Sequence, residues 1–160
     1  TAAQYLQLVD YARSVMPDIV LTSDVIVGFP GETDDEFEDT LRLIERVRFD
    51  ALFTFIYSPR AGTPAANMPD PVPREQKQRN FDRLVAAQNR ISDERHAAYV
   101  GQTLRCLIDG VDEQDPSLLT ARTDGNRLVR LPGDAALVGS FRPVTITASG
   151  TWSLSGRLAD

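Results

Sequence analysis

A short apolar run that leads into a glycine-rich turn constrains this chain most. Val25–Val27 are consecutive β-branched residues, which favour a β-strand, and Gly28–Gly31 follows them directly. Thr33 stands three residues before Glu36, the spacing of a capping box, so we expect a helix that begins at Asp34. In α/β folds ligands lie at the carboxyl ends of strands, so this turn is a candidate ligand site. A plain βα turn without a ligand fits the same residues.

Helices and strands alternate in the first part of the chain. Residues 4–16 and Asp34–Val47 carry apolar residues at helical spacing, and a strand is expected from about Ile19. Ala51–Ser58 is nearly all apolar, as a parallel strand covered on both faces would be. This order predicts parallel strands joined by right-handed crossovers. Two strands cannot close a barrel, so we expect the end of a larger, partial α/β barrel.

The alternation of residues along the first strand predicts two different faces. One face is mixed and should look toward a ligand or a barrel lumen, whereas the other is expected to pack on helices. The mixed face comprises Thr22, Asp24, Ile26 and Gly28, and the packed face comprises Ser23, Val25 and Val27.

The second half of the chain has a different pattern. A proline-rich linker, Asn67–Pro73, leads into a long helix that is expected to begin at Pro73 and run to about Ala98. Short alternating segments follow, which predict a small, closed all-β barrel of the oligonucleotide-binding (OB-like) type with Cys106 in its core. These segments are 102–109, 118–123, 127–131, 140–148 and 151–158. We therefore predict an α/β part over residues 1–70, a connecting helix over 71–98 and a β-barrel over 99–160.

Composition excludes several classes of protein. The net charge of −6 argues against nucleic-acid binding through bulk electrostatics. No signal peptide and no apolar run near the roughly 18 residues of a membrane span are visible. One cysteine and one histidine, Cys106 and His96, cannot form a disulfide framework or a Cys/His metal site. We expect a cytoplasmic protein without membrane contact, and we expect His96 to face solvent.

Three motifs in this order carry a resemblance to a known family. They are Thr22–Thr33, Phe53–Ala65 and Thr151–Leu154. Together they resemble the MiaB-type tRNA methylthiotransferases, which are radical S-adenosylmethionine (SAM) enzymes, and the resemblance runs from about Thr22 to Leu158. The sister enzyme that acts on a ribosomal protein is also similar at Gly28–Thr33. A non-catalytic RNA-binding module is the other alternative.

The resemblance implies a specific activity and architecture. Such enzymes methylthiolate C2 of N6-isopentenyladenosine beside the tRNA anticodon, using a 5′-deoxyadenosyl radical from one SAM and a methyl group from another. They hold two 4Fe–4S clusters, one in an N-terminal domain and one in the radical SAM barrel, and end in a TRAM domain, a small RNA-binding β-barrel. The three-cysteine cluster motif is absent here, and Cys106 alone cannot hold a cluster. The chain therefore resembles the C-terminal part of the enzyme.

That comparison fixes what is expected of the chain by itself. It should have no activity and bind no cofactor, with no catalytic and no metal residue of its own. Its expected partners are the tRNA anticodon stem-loop, the N-terminal domain and the cluster-bearing half of the barrel.

The resemblance also suggests residues that contact the cofactor. They are Asp24, Ile26, Gly28, Tyr57 and Ser58. Ile26 would contact the SAM adenine, and Gly28 would leave room for the cofactor to approach the backbone. Ordinary core packing is the alternative for both Ile26 and Tyr57.

Arginines and one tryptophan are the candidates for RNA contact, because arginine binds phosphate and an aromatic ring stacks on a base. The main candidates are Arg60, Arg122, Arg127, Arg130 and Trp152; Arg142 belongs with the barrel group, and Arg105 and Arg157 are less clearly grouped. Arg60 would contact phosphate or the SAM carboxylate, or else form a surface ion pair. Trp152 would stack on a base or else fill the barrel. The register of the hairpin decides whether Arg122 approaches Arg127 or Arg130.

Overall fold

The computed structural model describes residues 1–159. These residues form two compact units, Thr1–Ile91 and a second that begins at Ser92. The boundary falls inside a long helix. The predicted division at residues 70 and 98 stays a prediction.

The first unit alternates helices and strands, as predicted. Its elements are α1 (Ala2–Val15), β1 (Thr22–Val27), α2 (Asp34–Val47), β2 (Ala51–Ile56), a 3-10 turn (Pro64–Asn67) and most of α3 (Arg74–Ala97). Helix α2 has the predicted bounds, and the Thr33–Glu36 capping box is formed in both directions. The backbone N–H of Thr33, 2.8 Å from Glu36 Oε2, lowers the pKa of that carboxyl. Both strands are shorter than predicted, since β1 begins at Thr22 rather than Ile19 and β2 ends at Ile56.

Strands β1 and β2 form a two-stranded parallel sheet. Val27 lies on the face that packs on helices, whereas Asp24 and Ile26 lie on the exposed face, as predicted. The core on the packed face includes Phe37, Ile44, Val47, Leu84 and Ile91. The prediction that β2 is covered on both faces is wrong for the described residues. Phe53 and Phe55 are 61% and 52% exposed, because these helices cover only one side of the sheet.

Helix α3 turns a partly polar stripe inward within the first unit. The buried positions are Lys77, Asn80, Leu84, Gln88 and Ile91, whereas Phe81 and Val85 are only half-buried. The Gln88 amide donates to the carbonyl of Phe49 over 3.0 Å, so a polar side chain satisfies a buried backbone oxygen. The helix begins at Arg74, one residue after the predicted start at Pro73.

The second unit is a closed β-barrel, and this confirms the predicted small all-β domain. Its strands are β3 (Thr103–Val111), β4 (Leu118–Thr123), β5 (Leu128–Pro132), β6 (Phe141–Ser149) and β7 (Leu154–Leu158). They close in the order β3-β4-β5-β7-β6, with β5 and β7 parallel and the other pairs antiparallel. Alternate residues fill the interior, and Cys106 is fully buried among them, as predicted.

Two expectations about the second unit are wrong. His96 is buried rather than solvent-facing, because its ring packs against the turn between β6 and β7, with Nδ1 2.6 Å from the carbonyl oxygen of Gly150. Strand β7 begins at Leu154 rather than Thr151, which leaves Trp152 in that turn. Trp152 is 75% exposed, so it does not fill the barrel.

No helix in the described part of the chain has the length and apolar character needed to cross a bilayer.

Candidate cofactor face and candidate RNA interface

The predicted cofactor residues lie on the open face and at the carboxyl ends of β1 and β2. Asp24 and Ile26 are both exposed and pair in register with Phe53 and Phe55 of β2. The open face of the sheet is therefore apolar, with one carboxylate on it. Such a surface suits a ligand that combines an aromatic ring with charged groups.

Gly28 follows β1 directly and has a backbone φ of +70°. Its N–H donates to Glu32 Oε2 over 2.6 Å. A Cβ at this position would lie 2.6 Å from Cγ and Cδ of Lys77, which is buried and ion-paired with Asp70. The protein itself therefore requires glycine here, and the proposed room for a cofactor remains a prediction.

Tyr57 follows β2 and has both a packing role and an unsatisfied polar atom. Its ring meets that of Phe29 edge to face at 5.2 Å, and Lys77 Nζ lies 5.9 Å from its centre. The Tyr57 hydroxyl is buried and has no hydrogen-bond partner within residues 1–159. A buried hydroxyl without a partner is costly, so this atom is suited to a ligand or a further polar group.

Ser58 and Arg60 continue from the same strand end and are exposed. The loop is fixed by Thr63, whose hydroxyl donates to the carbonyl of Arg60 over 2.8 Å. Within residues 1–159 the guanidinium of Arg60 has no carboxylate partner, so the surface ion pair considered as an alternative is not formed there.

The described residues do not fit an iron–sulfur cluster. No group of three or more His, Cys, Asp or Glu side chains among them is arranged to hold a metal. Burial, with a smaller contribution from the charge of Asp124, raises the pKa of the Cys106 thiol to about 11. The thiolate that a cluster needs is therefore disfavoured at this site.

In the barrel, Arg122 and Arg130 both form ion pairs. Arg122 Nε donates to Asp109 over 3.1 Å, and Arg130 Nε donates to the nearly buried carboxylate of Asp112. The bond from Arg130, with backbone N–H bonds from Gln114 and Asp115, holds the pKa of Asp112 below its usual range.

The register of β4 and β5 settles which arginines share a surface. Arg122 pairs with Leu128, and Arg130 pairs with Thr120, so the two arginines lie on one outer face. Arg127 precedes β5 and is only 8% exposed, with its guanidinium 4.9 Å from the centre of the Tyr99 ring. Because its side chain is buried, the structure separates Arg127 from the other two.

Trp152 is held on a braced turn. The Gly150 carbonyl accepts from His96, and the Thr151 hydroxyl donates to Asp93 over 2.6 Å. On the other side, Arg130 Nη1 donates to Ser153 over 3.3 Å. The exposed indole therefore projects from a fixed backbone, which suits stacking on a flat ring.

Sequence reasoning did not select three residues that shape these sites. Asp112 orients Arg130, Lys77 fills the space beside Gly28, and Phe141 lies exposed beneath the guanidinium of Arg105. Only the position of Phe141 near the start of the predicted strand 140–148 could have indicated a surface role. Alternation alone does not bury an aromatic residue at the end of a strand.

Comparison with known proteins gives consistent results for both units. Residues 97–159 match the TRAM domain family. The whole chain is 48% identical to part of the tRNA-2-methylthio-N(6)-dimethylallyladenosine synthase of Thermoanaerobacter sp., covering 34% of that protein. The synthase of Symbiobacterium thermophilum is 48% identical over 98% of this chain and 33% of its own length, and that of Bacillus cytotoxicus is 44% identical over all of this chain and 31% of its own.

The chain thus spans about a third of the length of the curated relatives it matches. The matches extend over both compact units rather than over the barrel alone. Residues 97–159 are thus similar to the TRAM domain family, and the whole chain is similar to the C-terminal part of the tRNA-2-methylthio-N(6)-dimethylallyladenosine synthases.

Proposed function

We propose that this chain acts as the C-terminal part of a radical SAM enzyme that methylthiolates C2 of N6-isopentenyladenosine beside the tRNA anticodon. The observation that carries the proposal is the 48% identity to such a synthase over all 160 residues. Retained similarity across both units supports a shared role for them. The parallel β1–β2 sheet, with helices on one face only, supports its assignment to the end of a radical SAM barrel.

In this proposal the open face of the sheet contacts SAM, which supplies the radical precursor and the methyl group when bound. Exposed Ile26 offers an apolar surface for the adenine, and Asp24 offers a carboxylate on the same face. The Tyr57 hydroxyl gains the partner that it lacks within residues 1–159. Ser58 and Arg60 stand at the same end, where Arg60 is suited to a carboxylate or a phosphate.

The two 4Fe–4S clusters of the proposed enzyme require thiolates from outside this chain. Cys106 is unsuitable, because it is fully buried in the β-barrel and its pKa is raised. The chain by itself is therefore proposed to be inactive and to work only with the N-terminal domain and the cluster-bearing half of the barrel. The complete enzyme is proposed to be cytoplasmic.

The TRAM barrel is proposed to bind the tRNA anticodon stem-loop. Residues 98–160 contain six arginines and seven acidic residues, so overall attraction to RNA is weak and a local surface must supply it. Arg122 and Arg130 share an outer face, and Arg130 also contacts the turn that carries Trp152. These residues support backbone contact beside a stacked base.

A chimera tests the proposal. This chain replaces the corresponding third of the Thermoanaerobacter synthase, and the chimera is expressed in cells that lack their own enzyme. Nucleoside analysis of the tRNA should show the 2-methylthio product. A folded chimera that retains the clusters but leaves the tRNA unmodified would contradict the proposal. In that case, modification of a ribosomal protein would favour the sister activity, and RNA binding alone would favour a non-catalytic module.

A further inference from the structure

A cleft on the barrel, whose lining includes none of Arg122, Arg130 and Trp152, has the composition of a nucleotide site. It has a volume of about 310 Å³ and lies over the antiparallel pairing of β3 with β6, around the Arg105–Pro143 pair. Its lining residues are Thr103, Leu104, Arg105, Phe141, Arg142 and Pro143. They include two arginines and no acidic residue.

The two main side chains of the cleft already form a stacked pair. The guanidinium of Arg105 lies 3.8 Å from the centre of the Phe141 ring, and Phe141 is 50% exposed. A flat cation on a flat ring leaves further π-surface open to solvent. Unpaired RNA bases stack on surfaces of this kind, on aromatic rings and on guanidinium planes alike.

The arginines of this cleft lack the aspartate partners that Arg122 and Arg130 have on their outer face. Arg122 and Arg130 are each paired with an aspartate. Within residues 1–159 neither Arg105 nor Arg142 has a carboxylate partner; Arg142 Nε donates instead to the hydroxyl of Ser140 over 3.2 Å. A phosphate at Arg142 would therefore not have to displace an existing ion pair.

The cleft and the Arg122–Arg130 face lie next to each other on one continuous outer surface of the barrel. Leu107 pairs with Phe141 on one side and with Arg122 on the other, so the three residues form a row across β6, β3 and β4. Neighbouring strands are about 4.8 Å apart, so the row spans roughly 10 Å. This distance suits one strand of nucleic acid that crosses the barrel.

We infer that this cleft binds one unpaired nucleotide of an RNA loop, with the base stacked on the Arg105–Phe141 pair and its phosphate held by Arg142. The inference rests on the proposed RNA-binding function and extends it to residues that lie apart from the predicted hairpin.

Binding of a labelled anticodon stem-loop to the 160-residue chain, measured over a series of salt concentrations, tests the inference. Phe141→Leu keeps an apolar side chain but removes the ring, so affinity should fall about fivefold or more while the salt slope is unchanged. Arg142→Gln should lower the slope by roughly one. Phe141→Tyr should bind as the parent does, since stacking is retained.

Arg79→Ala is the matched control, because Arg79 is an exposed arginine of α3 in the first compact unit and is not a candidate for RNA contact. Thermal unfolding of every variant establishes that the barrel is intact. If the parent binds RNA and the Phe141 and Arg142 variants match Arg79→Ala in affinity and slope, the cleft is not the contact and the inference is overturned, while the proposed RNA binding stands. If the parent binds no RNA at any salt concentration, both are overturned.

Discussion

Lys77 occupies the space in which a side chain at Gly28 would lie. A Cβ built on Gly28 would be 2.6 Å from the Cγ and Cδ atoms of Lys77, and 3.1 Å from its Cβ. Lys77 cannot easily withdraw, because it is buried and ion-paired with Asp70. A glycine in a motif that resembles a cofactor-binding turn thus has a packing reason of its own.

Gly28→Ala should destabilise the first unit by about 2–4 kcal/mol. The left-handed backbone at φ +70° contributes about 1–2 kcal/mol and the displacement of Lys77 adds a similar amount. Urea unfolding followed by circular dichroism measures the difference. Gly31→Ala is the control, since Gly31 also has a positive φ but nothing within 4 Å of an added Cβ. Equal losses at both positions would show that Lys77 exerts no constraint.

Gly156→Ala should destabilise the barrel. An added Cβ would lie 2.6 Å from Val144 Cγ1 and 2.9 Å from the carbonyl oxygen of Thr145, so β6 and β7 would have to separate. Overpacking of this kind costs about 1–3 kcal/mol. Gly150→Ala is the matched control, because its nearest contact is an ordinary 3.6 Å. The prediction is wrong if the two variants have the same melting temperature.

Asp112 should make the barrel sensitive to acid. Its pKa is lowered from 3.8, chiefly by the bond from Arg130, so its contribution to stability is present above about pH 4 and is lost as the pH falls through the folded value. Asp112→Asn should therefore have a lower free energy of unfolding than the parent at neutral pH, and the difference between the two proteins should become smaller at lower pH. Glu113→Gln is the control, because it removes the same charge from an exposed side chain that makes no hydrogen bond within residues 1–159. A difference in free energy of unfolding that stays constant with pH would contradict this role of Asp112.

Cys106 should react slowly with thiol reagents while the barrel is folded. A rise in pKa from 9.0 to about 11 reduces the thiolate fraction at neutral pH about a hundredfold, and the side chain is fully buried. Iodoacetamide labelling followed by mass spectrometry should show protection in buffer and rapid labelling in guanidinium chloride. Similar rates in both conditions would place the thiol at the surface.

Local sequence patterns predicted the helices and strands of this fold better than they predicted the tertiary contacts of individual side chains. The capping box at Thr33 and Glu36 and the alternation through Cys106 depend on neighbouring residues, and both are confirmed. The burial of His96 and Arg127 depends on partners far along the chain, at Gly150 and Tyr99, and residue spacing carries no information about such contacts. The open face of β2 was missed because an apolar run indicates what a strand can bury, not what covers it.

The same limit applies to the candidate sites. Sequence placed Arg122, Arg127 and Arg130 in one hairpin but left its register open. The observed register puts Arg122 and Arg130 on the outer face and leaves Arg127 buried against Tyr99. The aspartates that pair with these two half-buried arginines lie on and just after β3, at positions that hairpin spacing does not reveal.

Replacing Arg122 and Arg127 by alanine should therefore affect different properties, RNA binding in the first case and stability in the second. Arg122→Ala should fold normally, weaken the binding of the anticodon stem-loop and lower its salt slope by roughly one, because a phosphate contact is lost. Arg127→Ala should instead lower the melting temperature of the barrel, since it removes a buried side chain from the Tyr99 ring. Stem-loop affinity at several salt concentrations and thermal unfolding are measured for both variants.

Asp109→Asn sharpens this comparison. Asp109 holds Arg122 Nε at 3.1 Å, so Arg122 must loosen this pair to contact a phosphate. Neutralising the carboxylate frees the guanidinium and removes a repulsive charge, so the variant should bind the stem-loop more tightly than the parent. The gain should disappear in Asp109→Asn/Arg122→Ala. If Asp109→Asn leaves affinity unchanged and Arg122→Ala retains the parental salt slope, the Arg122 face does not contact RNA.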